Sequence, residues 1–424
     1  MNDVQSTSNY RRVAATIGCA LALVAAACGR PSDPEIGTSP TGPPPTEADG
    51  SPSPTSAAPK RIIDVLPGMP PVIDPDNLYS EIRANNLSPA VKDAKFLVYV
   101  PNERSGTVTV IDPVTKQVID NYKTGFIPQH VVPSYDLTRL YALNNNGNTI
   151  TPFDPKTGKT DKSMNIDNPY NLYYLPDGKA AMVVAEGRQR LDFYDPITWE
   201  KQSSTQLQCE GVNHLDFSID GRFFVASCEF EGTVIKFDVA ERKQLGKIEV
   251  DKTHVVKGGV NPHPMPQDVR VSPNGSKFYV ADMISDGIHV IDAASFTQVG
   301  YIPTGVGAHG LYPDRAGKKL YVINRGTNRF DVPKGKGSVA VLDFATDKVE
   351  ATWEVPGGGS PDMGNITADG KELWLGGRYS SEVYVFDLEK GAFITRIKVG
   401  DGPHGLTVWP QPGRFSLGHT GNMR

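Results

Sequence analysis

Seven short β-rich runs, each ending in an aspartate (Asp112, Asp154, Asp195, Asp238, Asp292, Asp343 and Asp387), predict an all-β fold, a seven-bladed β-propeller. Their spacings of 42, 41, 43, 54, 51 and 44 residues suit one four-stranded blade per repeat. A second turn recurs within the units, as "SYDLTR", "LPDGKA", "SIDGRF", "SPNGSK", "RAGKKL" and "ADGKEL", and separates an inner strand from strands such as "KFYVAD" and "KLYVIN". No long helical period competes with this alternation.

In chain order, residues 1–28 read as a targeting segment. Arg11 and Arg12 precede the apolar run "VAATIGCALALVAAAC", which is too short to span a bilayer. The order basic, apolar, small, cysteine resembles a bacterial lipoprotein signal whose Cys28 is acylated, although Leu23 lies five residues before the cysteine where such signals carry leucine three before. A plain secretory signal with an incidental cysteine is the competing reading, and the arginine pair also admits twin-arginine export. Residues 29–60, rich in Pro, Ser, Thr and Gly, read as a disordered tether. Residues 61–95 are expected as a strap outside the ring, 96–413 as the propeller and 414–424 as a tail.

The first unit lacks an inner strand, because "KFLVYVPN" is already a second strand. "HGLTVWP" near the C-terminus has the pattern of an inner strand with no unit to follow it. The two are expected to pair and close the ring, which removes a free sheet edge.

The runs "FYVAD", "LYVIN" and "IDPVTK" resemble the YVTN-type seven-bladed propeller family, which includes surface-layer and periplasmic proteins; the likeness covers residues 95–413. It implies the fold and leaves function open, since this architecture also serves binding proteins, lactonases, amine dehydrogenase subunits and haem d1 domains.

Counting back seven residues from each turn glycine aligns the starts of the inner strands. Gly178 leads to Asn171, Gly221 to His214, Gly275 to Asp268 and Gly370 to Met363; Leu137, in the place of the glycine, leads to His130. The copies "GAHGLYPD" and "GPHGLTVWP" put His309 and His404 at or beside the same position. In a propeller these starts converge on one mouth of the central channel. His130, His214, His309, His404 and Asp268 are therefore expected to ring it, with a neighbouring glycine letting the backbone crowd the axis. Loops at the same face carry Arg104, Arg188, Arg325 and Arg378, together with Glu186, Glu229 and Asp282, and the two long repeats place their extra chain there. His289, on an outer strand, reads as plain surface. His254 and His263 are loop residues, and His419 either caps the channel or lies in a frayed tail.

Cys209 precedes an inner strand and Cys228 ends the next, so antiparallel pairing brings them together; a disulfide is expected in an exported protein. With 43 basic and 48 acidic side chains, charge offers no argument for nucleic acid as a partner.

The expected protein is a monomeric lipoprotein, exported and anchored to the outer face of the cytoplasmic membrane or the cell envelope. It binds a small ligand, a metal ion or a protein partner at a His/Arg-rich mouth. One alternative is an oxidoreductase or cofactor carrier with a metal or haem d1-like group on the axial histidines; the absence of a Cys-x-x-Cys-His motif excludes covalent c-type haem. Another is a lactonase-type hydrolase drawing on Glu186, Glu229, Asp268 and Asp282 with His130 as base. No nucleophile–base order or phosphate-binding loop appears in the chain, which favours binding over catalysis.

Overall fold

The aspartate that ends each repeat does so for a local reason. Asp112 Oδ1 accepts the amides of Val114 at 2.8 Å and Thr115 at 3.3 Å, and Asp195, Asp343 and Asp387 cap their turns in the same way. Four residues after the aspartate the backbone turns left-handed, at Lys116, Trp199, Arg242, Phe296 and Asp347. The side chain thus supplies a turn bond that lets the third strand of a blade reverse into the fourth.

Seven such blades form the ring in a computed structural model that describes residues 61–255, 262–329 and 335–424. Six sheets have four strands, and the second blade has five because its outermost strand is split into Lys159–Thr160 and Met164–Asn165. The inner strands are Pro128–Pro133, Asn171–Tyr174, Val212–Phe217, Pro266–Val271, Ala308–Pro313, Pro361–Ile366 and Thr407–Trp409, and all are buried. Outer strands such as Lys348–Glu354 alternate exposed and half-buried positions, as expected when one face packs on the next blade and the other meets water. Between blades the core is aromatic and β-branched; Phe224 stacks on Phe237 at 4.7 Å.

The ring closes as expected. Leu97 pairs with Trp409, Val98 with Val408 and Tyr99 with Thr407, so the last inner strand completes the sheet of the first blade. Cys209 and Cys228 form a disulfide with Cα atoms 5.1 Å apart. Among the described residues no helix is long and apolar enough to cross a membrane. The targeting segment, Cys28, the tether and parts of the two long insertions lie outside the described residues.

Residues 61–95 run across the ends of several blades. Leu66 donates its amide to Asp220 O, Leu78 to Pro273 O, Asn85 to Ala368 O and Lys95 to Pro155 O. The segment is a strap, and its buried Tyr79 donates to Val271 O at 2.6 Å.

Residues 414–424 are not a loose tail. They fold back as a hairpin: Ser416 bridges Met423, Leu417 donates its amide to Asn422 O, and Arg424 donates to Phe415 O. The hairpin occupies the channel. His419 donates its amide to Leu172 O, Tyr174 donates to Leu417 O, Asn365 Nδ2 bonds Thr420 O, and Arg424 pairs with Asp216 at 2.7 Å. The Arg424 guanidinium lies over the Tyr79 ring, so strap and hairpin pack together at this end. His289, expected at the surface, is buried, with Nδ1 3.0 Å from Gln298 Nε2 and Nε2 3.4 Å from Asp282.

Candidate functional site on the channel axis

Five inner strands enter their sheets through a bulge. Register slips between Pro128 and Val131, Val212 and Leu215, Pro266 and Val269, Ala308 and Gly310, and Pro361 and Gly364. His130, His214, Asp268, His309 and Asp362 lie inside these bulges, where surplus residues turn side chains out of the normal alternation. Gly405 is required beside them: a Cβ there would stand 2.1 Å from His130 Cδ2.

The imidazoles meet. Ring centroids of His130 lie 5.3 Å from His214, 4.8 Å from His404 and 5.3 Å from His419, while His214 lies 4.8 Å from His419 and 6.2 Å from His309. All five rings are buried rather than lining an open rim as the sequence suggested. The hairpin fills the channel on one side, and on another the buried Tyr170 ring packs 5.3 Å from His130 and 5.7 Å from His214. His419 holds its backbone at φ 48°, a left-handed conformation uncommon for a residue with a side chain.

Counting from the turn glycine points to Met363, the equivalent of His214 and Asp268, whereas Asp362 is the other residue of the same two-residue bulge, at the position of Asn213 and Gln267. The Asp362 carboxylate lies 2.9 Å from His309 Nδ1, 2.8 Å from Arg325 and 3.4 Å from both Arg378 and His404 Nε2. Burial alone would raise its pKa, but Arg325 and the two imidazoles hold it well below the carboxylate range. Arg325 also donates to His309 Nε2 at 2.8 Å, which places the His309 proton on Nδ1 facing Asp362. Burial and the Arg325 charge bring this imidazole down to about 4. In the trio His309, Asp362 and His404 the carboxylate is already paired with two guanidiniums, Arg325 and Arg378, although His309 Nδ1 makes no hydrogen bond of good geometry.

Asp268 makes a similar knot. It accepts the Leu311 amide at 2.9 Å, lies 3.3 Å from Arg270 and 3.7 Å from His419 Nε2, and is held at about 2 by Arg270 and His419 against the effect of burial. Arg104 and Arg188 form exposed pairs with Asp401 and Asp167, and Arg104 also donates to Arg378 O at 3.2 Å. Asp282 accepts the amides of Ile284 and Ser285 within its own loop. With Asp268 and Asp282 engaged in internal contacts, the His130-centred hydrolytic arrangement has lost two of its carboxylates.

The second trio, His130, His214 and His419, has one carboxylate at its edge, Asp268, 3.7 Å from His419 Nε2. One ring nitrogen from each lies within 4.8 Å of the others. In all three Nδ1 is engaged, with Tyr170 O at 2.9 Å for His130 and with Asn171 Nδ2 at 2.9 Å and 3.1 Å for His214 and His419. In all three Nε2 is buried without a hydrogen-bond partner. Burial, reinforced by neighbouring imidazoles, keeps His130 and His214 well below their ordinary range, hence neutral at pH 7.

A bare ion suits this donor set. Three imidazoles are ligands for zinc, copper, iron or nickel, and an ion about 2.1 Å from each nitrogen spaces them by about 3.5 Å. The ring nitrogens here lie within 4.8 Å of one another, so His130, His214 and His419 would hold such an ion after at most a small adjustment. A haem-type macrocycle does not fit between imidazoles whose centroids stand 4.8 to 5.3 Å apart with planes 55 to 85° to one another.

Above the histidines stand Glu186, Glu229, Glu103, Arg378 and the Tyr170 hydroxyl, close enough to perturb one another. Burial and the Glu229 charge push Glu186 up to about 8. Asn213 donates to Glu229, and Arg378 pairs with Glu103 at 2.9 Å. Glu186, Glu229 and Arg378 were expected here, and Asn171 lies at the position the count from Gly178 reaches; Glu103, just after the strand Leu97–Asn102, and Tyr170, just before Asn171–Tyr174, carry no sequence signal of their own.

A closed ring of seven four-stranded blades with a buried axial histidine cluster defines the class as a β-propeller with an internal polar site. The chain matches the YNCE-like β-propeller over residues 65–412 and belongs to that family. No curated protein matches it. Solved structures share the fold. Hydrazine synthase of Kuenenia stuttgartiensis is 16% identical, with a TM-score of 0.52 over 65% of this chain and 87% of that one. A functionally unknown protein from Desulfotomaculum acetoxidans is 13% identical, with a TM-score of 0.59 over 74% and 98%. The dihydro-heme d1 dehydrogenase NirN is 13% identical, with a TM-score of 0.54 over 76% of each chain. At such identities the likeness extends to the fold alone.

Proposed function

We propose that this propeller is a binding protein for a late first-row transition-metal ion, held by His130, His214 and His419. The observation that carries this reading is that three buried imidazoles bring one ring nitrogen each within 4.8 Å of the others, while the Nε2 of each lacks a hydrogen-bond partner. Buried polar atoms are rarely left unpaired, and three of one kind at one point suggest a common occupant. A single water is the other small occupant that such a polar space admits.

The protein is further proposed to be exported and anchored through Cys28, in the outer face of the cytoplasmic membrane or the cell envelope. The Cys209–Cys228 disulfide supports an oxidising compartment.

The test is to titrate the purified, chelator-treated protein with zinc, copper, nickel and cobalt by calorimetry, and to measure metal content before treatment. One ion bound per chain with submicromolar affinity, lost in the triple variant His130→Gln, His214→Gln, His419→Gln, is the expected result. Failure of every ion to bind below about 10 μM, about 7 kcal/mol of binding free energy, overturns the reading.

A further inference from the structure

Asn171 touches both His214 and His419, and its orientation is set by a third bond. Its Oδ1 accepts the amide of Leu172 at 2.9 Å, which turns Nδ2 towards His214 Nδ1 at 2.9 Å and His419 Nδ1 at 3.1 Å. An amide nitrogen only donates, so both imidazoles accept at Nδ1 and carry their proton on Nε2. His130 is the opposite tautomer, because its Nδ1 donates to Tyr170 O and leaves the Nε2 lone pair free. Of the three Nε2 atoms, those of His214 and His419 therefore carry a proton, the latter 3.7 Å from Asp268 Oδ1, and that of His130 carries a lone pair. That pattern suits a bridging water, and it blocks an ion at two of its three ligands.

Loading through Nε2 requires both protons to move to Nδ1, where they need an acceptor. Asn171 supplies one only if its amide turns over and gives up the Leu172 bond. Neighbouring inner strands show the alternative. Asp216 and Asp268 use one carboxylate oxygen for the amide of the next residue, Phe217 and Val269, and the other oxygen for the amides of Val271 and Leu311 across the blade junction. A carboxylate at the Asn171 position thus fits the local backbone and offers acceptors to both sides.

We infer that Asn171 is a positioning residue that sets the affinity of the axial site: its amide holds His214 and His419 in the tautomer that cannot ligate, and ion entry is coupled to the rotation of this amide. The inference rests on the metal-binding reading above for its second half and on hydrogen-bond chemistry alone for its first. The coupling keeps binding weaker and slower than the same three imidazoles would otherwise allow.

The experiment compares wild type with Asn171→Asp and Asn171→Leu. Long-range nitrogen–proton NMR on ion-free protein should show His214 and His419 as Nε2–H tautomers in wild type and as Nδ1–H tautomers in Asn171→Asp. Chelator competition with zinc and copper should show about tenfold tighter binding in Asn171→Asp and no comparable gain in Asn171→Leu. Wild-type rings already protonated at Nδ1, or an Asn171→Asp protein that melts within a few degrees of wild type yet binds no more tightly, would overturn the inference. If wild type binds no ion at all, the functional reading fails, while the tautomer measurement still decides the role of Asn171.

Discussion

The imidazole of His419 packs 4.8 Å, centroid to centroid, from that of His214, and the Asn171 amide reaches Nδ1 of both. The hairpin that carries His419 is thus part of the site as well as a filler of the channel. Replacing His419 by alanine should lower ion affinity by at least about 100-fold, more than the 10–100-fold typical for loss of a supporting residue. The measurement is chelator competition, with the melting temperature as the control for folding. Unchanged affinity would remove His419 from the ligand set.

Acid should act on the ion-free protein in two stages. His130, His214 and His404 sit well below the ordinary imidazole range, and His309 is near 4, so folding keeps these rings neutral. Below about pH 6.5 the unfolded chain binds more protons than the folded one, and stability falls by up to about 1.4 kcal/mol per pH unit for each ring. Asp268, held at about 2, and Asp362 add stability that is present above the carboxylate range and lost only below about pH 4. Melting curves between pH 8 and 4.5 should be level at first and then decline, less steeply in His214→Gln. A level curve down to pH 4.5 would contradict the burial of neutral histidines.

Gly405→Ala forces a methyl group into the His130 ring, at 2.1 Å from Cδ2. Overpacking of this kind costs about 1–3 kcal/mol. The expected outcome is a lower melting temperature together with weaker ion binding, since the ring must move. Chemical denaturation and calorimetry on the same preparation check both.

Arg325 neutralises Asp362 and caps His309. Arg325→Met leaves a buried carboxylate with weaker partners and should destabilise by about 3–5 kcal/mol. It should also raise the pKa of His309, whose depression owes most to burial and next to this guanidinium. Proton NMR titration of the His309 ring in the variant reads that shift directly.

The Cys209–Cys228 bond closes a loop with a sequence separation of 19. Its removal by the double serine variant should cost about 3 kcal/mol on the chain-entropy account. Denaturant unfolding with and without reductant measures it, and the variant should no longer respond to reductant.

Much of the molecule could be read from residue order because the governing interactions are local. The seven capping aspartates bond amides two or three residues away, and the turn residues from Leu137 to Gly370 take up positive φ in every blade named by the repeat. Closure of the ring followed from a missing strand at one end and a surplus one at the other, as the pairing of Val98 with Val408 bears out. The same periodicity identified which strand ends meet on the axis.

The site needed three dimensions. The bulge between Pro361 and Gly364 holds two residues and the count from the turn selects only the second, so Met363 stands in the alignment while Asp362, the first, makes the contacts on the axis. The hairpin at 414–424 has no periodicity of its own. Its polar groups are satisfied by Leu172, Tyr174, Asn365 and Asp216, and it becomes ordered only where the ring presents those partners together. Short-range hydrogen bonds and alternating burial are written along the chain, and they sufficed for blades, turns and closure. Which imidazoles are neutral, which nitrogens lack a partner and what fills the channel depend on contacts between distant segments, and burial makes those contacts dominate.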